Sequence, residues 1–144
     1  MTKSEIDTIT ACEATNILLA ENVMLSARPL NRPKSIVDCK TIQSPSGAWF
    51  YSVSNGWQVQ NFSGDIDAAM MIAEKIQERF CGFSEIVGLN LIHLEKDLWA
   101  ATFSLNSDEL WYEQEHLNRH LAAATGETAS LAIARAALKV VCGL

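Results

Sequence analysis

The twelve residues SLAIARAALKVV, Ser130 to Val141, are apolar or small apart from two cations, Arg135 and Lys139, set four positions apart. Alanine, leucine, lysine and arginine are strong helix formers. With Gly126 as a break ahead of them, they predict a last helix from near Thr128 to about Cys142. At ~100° per residue, Leu131, Ala134, Leu138 and Val141 fall on one stripe that packs against the rest of the chain. Arg135 and Lys139 project together at the edge of that stripe, beside the small residues Ala132 and Ala136. Two readings follow. Long cations at such a border lay their stems along apolar surface and put the charge in water, and Lys139 also gains from the negative end of the helix dipole. Alternatively the arginine fork and the mobile lysine charge hold an anion, with the alanines giving it room to approach.

Upstream, EIVGLNLIHLEKDLWAATFSL, Glu85 to Leu105, reads as two strands joined at Glu95-Lys96-Asp97. Trp99, Ala101, Phe103 and Leu105 alternate with Leu98, Ala100, Thr102 and Ser104. Apolar groups on both faces suit a sheet covered on both sides. The stretch NSDELWYEQEHLNRHLAAATG, Asn106 to Gly126, has helical propensity, but its end equally suits another strand. Before the strands, NFSGDIDAAMMIAEKIQERFCGF predicts a helix capped by Ser63, with Asp65 and Asp67 at its positive end and Gly82 as its stop. Its apolar stripe is Ile66, Ala69, Met70, Ala73, Ile76 and Phe80.

AWFYSVSNGWQVQ, Ala48 to Gln60, flanks Asn55-Gly56 with aromatic and β-branched residues, the signature of a hairpin with a tight turn. Trp49 and Tyr51 share one face and Phe50 takes the other. At the start, Ser4 and Asp7 resemble a capping box. Ile6, Ile9, Ile17, Ala20 and Met24 then recur at helical spacing, as far as the breakers Pro29 and Pro33. Leu30 to Ser46 reads mostly as loop. The expected class is α/β: a single domain over residues 1–144, an α-β-α sandwich with a small, mainly antiparallel sheet, helices on both faces and an aromatic hairpin insertion within 30–62.

Four segments in order carry a resemblance: ILLAENVM (17–24), GAWFYSVSNGWQVQNFSGDIDAAMMIAEKI (47–76), LWAATFSL (98–105) and ETASLAIARAALKVV (127–141). Together they are similar to the phage ABA sandwich domain family of small bacteriophage and prophage proteins. The chain departs from that pattern at Leu25 and Ser26, at Phe62 and Gly64, and at Ser130. The resemblance implies an α-β-α sandwich and a phage-related setting inside the bacterial cell, and brings no agreed reaction or catalytic residues with it.

Composition narrows the functions. At 144 residues, 49% apolar and 19% charged, the chain is globular. A net charge of −6 opposes wrapping of double-stranded nucleic acid, which needs a dense basic face. The opening MTKSEIDTIT lacks the basic start and apolar core of a signal peptide and no apolar run approaches the ~20 residues of a membrane span, so a cytoplasmic protein is expected. Cys12, Cys39, Cys81 and Cys142 form no C-x-x-C pair and read as reduced thiols.

In EQEHLNRH, a helix would set Glu113, His116 and His120 on one side, a carboxylate and two histidines of the kind that hold a divalent metal. Leu117, however, stands where a metalloprotease carries its general base. His93 sits in a strand near its turn. No Ser-His-Asp order, P-loop or G-x-G-x-x-G is present, and no cofactor is indicated. Three functions compete. The first is a non-enzymatic accessory protein binding a small anionic, nucleotide-derived host-defence signal through Arg135 and Lys139, with Trp49, Tyr51 and Trp57 stacking a base. The second is an oligomeric module holding a host or phage protein through the aromatic hairpin. The third is a small metal-dependent hydrolase using the His116/His120 region.

Overall fold

The computed structural model of the chain describes residues 1–33, 41–81, 85–107 and 118–144. Its organising element is the helix at the C-terminus, α4 (Ala129–Cys142). The Thr128 hydroxyl accepts from the Leu131 N–H at 3.2 Å, and Gly143 ends the helix in the left-handed region at φ 71°. Replacing Thr128 by alanine leaves that N–H without its cap; the expected cost is about 1 kcal/mol. It is read as a melting temperature lower by about 3 °C in a chain of this size.

Burial on α4 is wider than the expected stripe. Ser130 to Ala134 and Ala136 to Val140 are all buried, leaving Ala129, Arg135 and Val141 half-exposed and Cys142 exposed. A helix apolar on all sides is a buried helix, and α4 accordingly touches strands and helices alike. It packs on β4 (Glu85–Glu95), β5 (Leu98–Ser107) and β6 (Asn118–Gly126), and against α3 (Ile66–Phe80). It also meets α1 (Lys3–Thr8) and α2 (Glu13–Asn22).

The strands divide between two antiparallel sheets, ordered β1-β2-β3 and β4-β5-β6, where β1 is Ile42–Gln43, β2 Trp49–Ser52 and β3 Gly56–Val59. The mixed α/β class holds. In the larger sheet, Val87 faces Leu105, Leu89 faces Phe103, and Phe103 faces Ala122, so these side chains share the face turned to α3 and α4. Ile86, Gly88, Asn90 and Ile92 lie on the opposite face with Ala100, Thr102 and Ala123. Helices were expected on both faces; among the described residues α3 and α4 cover the first, and on the second Asp7 of α1 lines one concavity with Ala100, Ala123 and Thr125.

Three local readings change. The expected single first helix is two: the capping box is Thr2 with Glu5, and α1 ends as Ile9 turns extended at ψ 146°. The hairpin forms where expected, but Ser52 faces Gly56, so three residues make the loop and Gly56 takes the left-handed position at φ 71°. The α3 cap is Asp65, and the buried side is Ala68, Ala69, Ile72, Ala73 and Ile76, with Ile66 and Met70 exposed. Ser63 instead turns inward, where its N–H and hydroxyl both donate to Asn16.

Candidate functional site

The short chain between α1 and α2 places an exposed cysteine at a helix start. Cys12 is extended, at φ −159° and ψ 172°, and occupies the N-cap of α2 without a capping hydrogen bond of its own. Hydrogen bonding to Thr15, whose hydroxyl lies 3.5 Å from the Cys12 sulfur, holds the thiol below the ordinary cysteine pKa. One turn on, buried Asn16 accepts from the Ser63 N–H at 2.8 Å and from the Ser63 hydroxyl at 2.7 Å. Its amide donates to Asn61 at 3.3 Å. With those groups satisfied, α2 is fixed beside the edge of β3.

The chain after α2 is held to the hairpin by its tryptophans. The Trp49 indole N–H donates to the Ser26 carbonyl at 3.0 Å, and that of Trp57 to the Asn31 carbonyl at 2.9 Å. Trp49 is itself a core residue, 1% exposed. Tyr51 meets Trp57 edge to face, with ring centroids 5.3 Å apart. The Arg28 guanidinium lies 5.1 Å from the Trp49 ring centroid, a cation–π contact.

Between α2 and the hairpin lies a groove of about 440 Å³, whose lining includes Arg28, Phe50, Asn55, Trp57, Gln58 and Asn61, with Cys12, Glu13 and Asn16 at the helix side. No described carboxylate pairs with Arg28. The described lining therefore offers a planar cation, aromatic surface and four side-chain amides. Among the described residues it contains no histidine and one carboxylate, Glu13.

The residues singled out from the sequence lie in three places. Trp57 is in this groove; Trp49 and Tyr51, opposite Val59 and Trp57 in the hairpin, do not line it. Arg135 and Lys139 are at the outer edge of β6, where no described strand pairs. Arg135 donates to the Thr125 carbonyl at 2.8 Å and to the Ile9 carbonyl at 2.7 and 3.2 Å. Lys139 donates to the Ala123 carbonyl at 3.1 Å and pairs with Asp7 at 2.7 Å. The geometry has a simple basis. Residues i and i+4 of a helix rise about 6 Å, and same-side carbonyls of a strand recur about every 6.6 Å. Two cations one turn apart thus meet alternate carbonyls of an edge strand. The concavity beside them, about 260 Å³ and lined by Asp7, Lys139 and Thr125, shares no residue with the groove at the hairpin.

The remaining candidates are histidines. Glu113 and His116 lie outside the described residues. His120 belongs to β6, opposite Ser104, so the helical spacing that grouped the three does not extend to it. Pairing with β5 decides the strand over the helix there. His93 is exposed and stacked on Trp99, with centroids 4.3 Å apart. Among the described residues no group of three His, Cys, Asp or Glu side chains is placed to hold a metal.

The phage ABA sandwich domain model matches residues 17–138. The chain belongs to that family. The match takes in the hairpin, α3, all three strands of the larger sheet and most of α4. Of the residues lining the groove of this phage ABA sandwich domain, Arg28 and the hairpin set fall inside the matched span, and Cys12, Glu13 and Asn16 precede it. No curated protein and no solved structure matches the chain. No described helix of the domain is long and apolar enough to cross a membrane.

Sequence reasoning missed Arg28, Phe50, Asn55, Gln58 and Asn61 as lining residues. Arg28 stands in SARPLNRP, read only as a helix end, and nothing in linear order ties it to residues 50–61. The one usable signal was a pair of tryptophans in a hairpin, each needing an acceptor for its indole N–H.

Proposed function

We propose that this protein is a non-enzymatic accessory protein of bacteriophage or prophage origin, acting in the host cytoplasm. It binds and sequesters a small anionic ligand that carries a planar base, of the kind made as nucleotide signals in host defence. The observation that carries the reading is Arg28 at the groove: a guanidinium unpaired with any described carboxylate, held over Trp49, beside Phe50 and Trp57. An arginine fork suits phosphate, aromatic faces suit bases, and Asn55, Gln58 and Asn61 supply donors and acceptors for a base edge. A groove of about 440 Å³ falls in the size range of small-molecule sites.

The test is direct. Small molecules released by denaturing the purified protein are identified by mass spectrometry, and linear and cyclic nucleotides are titrated calorimetrically. Arg28→Ala is expected to weaken binding by about ten- to a hundredfold, the worth of a charge-assisted hydrogen bond. The fold should be retained, because the lost cation–π contact is worth only about 0.5–1 kcal/mol. Binding unchanged by Arg28→Ala removes the groove as the site, and steady conversion of the ligand turns the reading toward an enzyme.

A further inference from the structure

The two edges of the β4-β5-β6 sheet are finished differently. On β6, Arg135 and Lys139 occupy the outward carbonyls of Thr125 and Ala123. On β4, no described strand or side chain pairs with the outer edge. An unpaired edge is commonly blunted by lysine, proline or an inward charge. The run Ile86 to Ile92 contains none of these, and the one irregularity of β4, the bulge between His93 and Glu95, lies beyond it. Large apolar side chains left in water also concentrate here: Ile86 is 55% exposed, Ile92 46% and Leu94 53%.

We infer that this edge is the interface with a second copy of the same chain, β4 pairing antiparallel with β4 to make one continuous six-stranded sheet. The occupant follows from the symmetry of the run. A two-fold axis passing beside Leu89 sets Ile86 opposite Ile92 of the second copy, and Ile92 opposite its Ile86. Val87 then faces Leu91 on the other side of the sheet, again twice. A two-fold contact must be self-complementary in this way, and apolar cross-strand pairs are what stabilise adjacent strands. No charged residue lies within Ile86–Ile92, so no like charges are opposed. Seven residues of strand are about 23 Å long. A strip of that length is smaller than a standard interface of about 800 Å² per partner, so the dimer is weak and concentration-dependent.

Sedimentation velocity on the full chain, from about 1 µM to about 1 mM, covers the range a contact of this size requires. The expected result is a monomer–dimer equilibrium, with amides of residues 86–92 gaining hydrogen-exchange protection as concentration rises. Ile86→Lys with Ile92→Lys puts like charges opposite each other twice and should abolish the dimer. Ile86→Lys with Ile92→Glu puts opposite charges there and should keep it. Both changes are on exposed positions, and an unchanged melting temperature of the monomer verifies the fold. A monomer throughout the range, protection gained elsewhere, or equal loss in the two variants overturns the inference.

Discussion

Gly126→Ala is expected to cost about 3 kcal/mol, the upper end of what overpacking a close contact costs. A Cβ added at Gly126 would stand 2.6 Å from the Ala132 nitrogen, 3.0 Å from the Leu131 carbonyl carbon and 3.1 Å from the Ala132 Cα. All three are backbone atoms of the first turns of α4, and none can swing aside as a side chain does. The turn is fixed on its other sides as well, by the Thr128 cap and by the burial of Leu131, Ala132 and Ile133. Either β6 retreats from β5, where Gly126 faces Trp99, or α4 lifts off the sheet. Thermal unfolding should show a midpoint lower by about 10 °C. A shift of less than about 3 °C would mean that α4 is not seated this closely.

Arg135→Ala combined with Lys139→Ala is the second large effect, expected at about 3 kcal/mol. Hydrogen bonds from charged donors contribute about 1.5–3 kcal/mol each. The sum is discounted because Thr125 is exposed and Asp7 is 52% exposed, so water replaces part of what is lost. The variant should also free the N-terminal arm. Arg135 holds Ile9 and Lys139 holds Asp7, so these two polar ties between α4 and the α1 arm go together. Limited proteolysis should then cut near Thr8–Ala11 at protease levels that leave the parent chain intact, and the midpoint should fall by about 10 °C. A variant as stable as the parent would show that these cations do not hold the arm and the β6 edge. The experiment also separates them from Arg28, whose removal is expected to affect ligand and not fold.

The helix from Thr128 to Cys142 was legible because its cap, its composition and its glycine stop are all local signals. So were the turn at Lys96-Asp97 and the hairpin around Gly56, since each rests on residues adjacent in sequence. Helical propensity in the stretch before Gly126 was misleading at its end. Asn118–Gly126 is a strand because Ala122 and Ala124 fit against Phe103 and Ala101, neighbours more than 15 residues away. The first helix was overextended for a similar reason. A hydrophobic period crosses Ile9, but the backbone leaves the helix there and the Ile9 carbonyl is taken by Arg135.

The groove shows the same division. That residues 48–60 form an aromatic hairpin can be read from alternation and a glycine. That Arg28 lies over Trp49, and that α2 brings Asn16 to Asn61, depends on chain segments about 20 to 45 residues apart being pressed together by a common core. Arg135 and Lys139 make the point most sharply. Helical periodicity by itself placed them together at the border of a packing stripe. What they do there was decided by tertiary structure, because an edge strand has carbonyls in need of donors, and only folding shows that β6 is that edge.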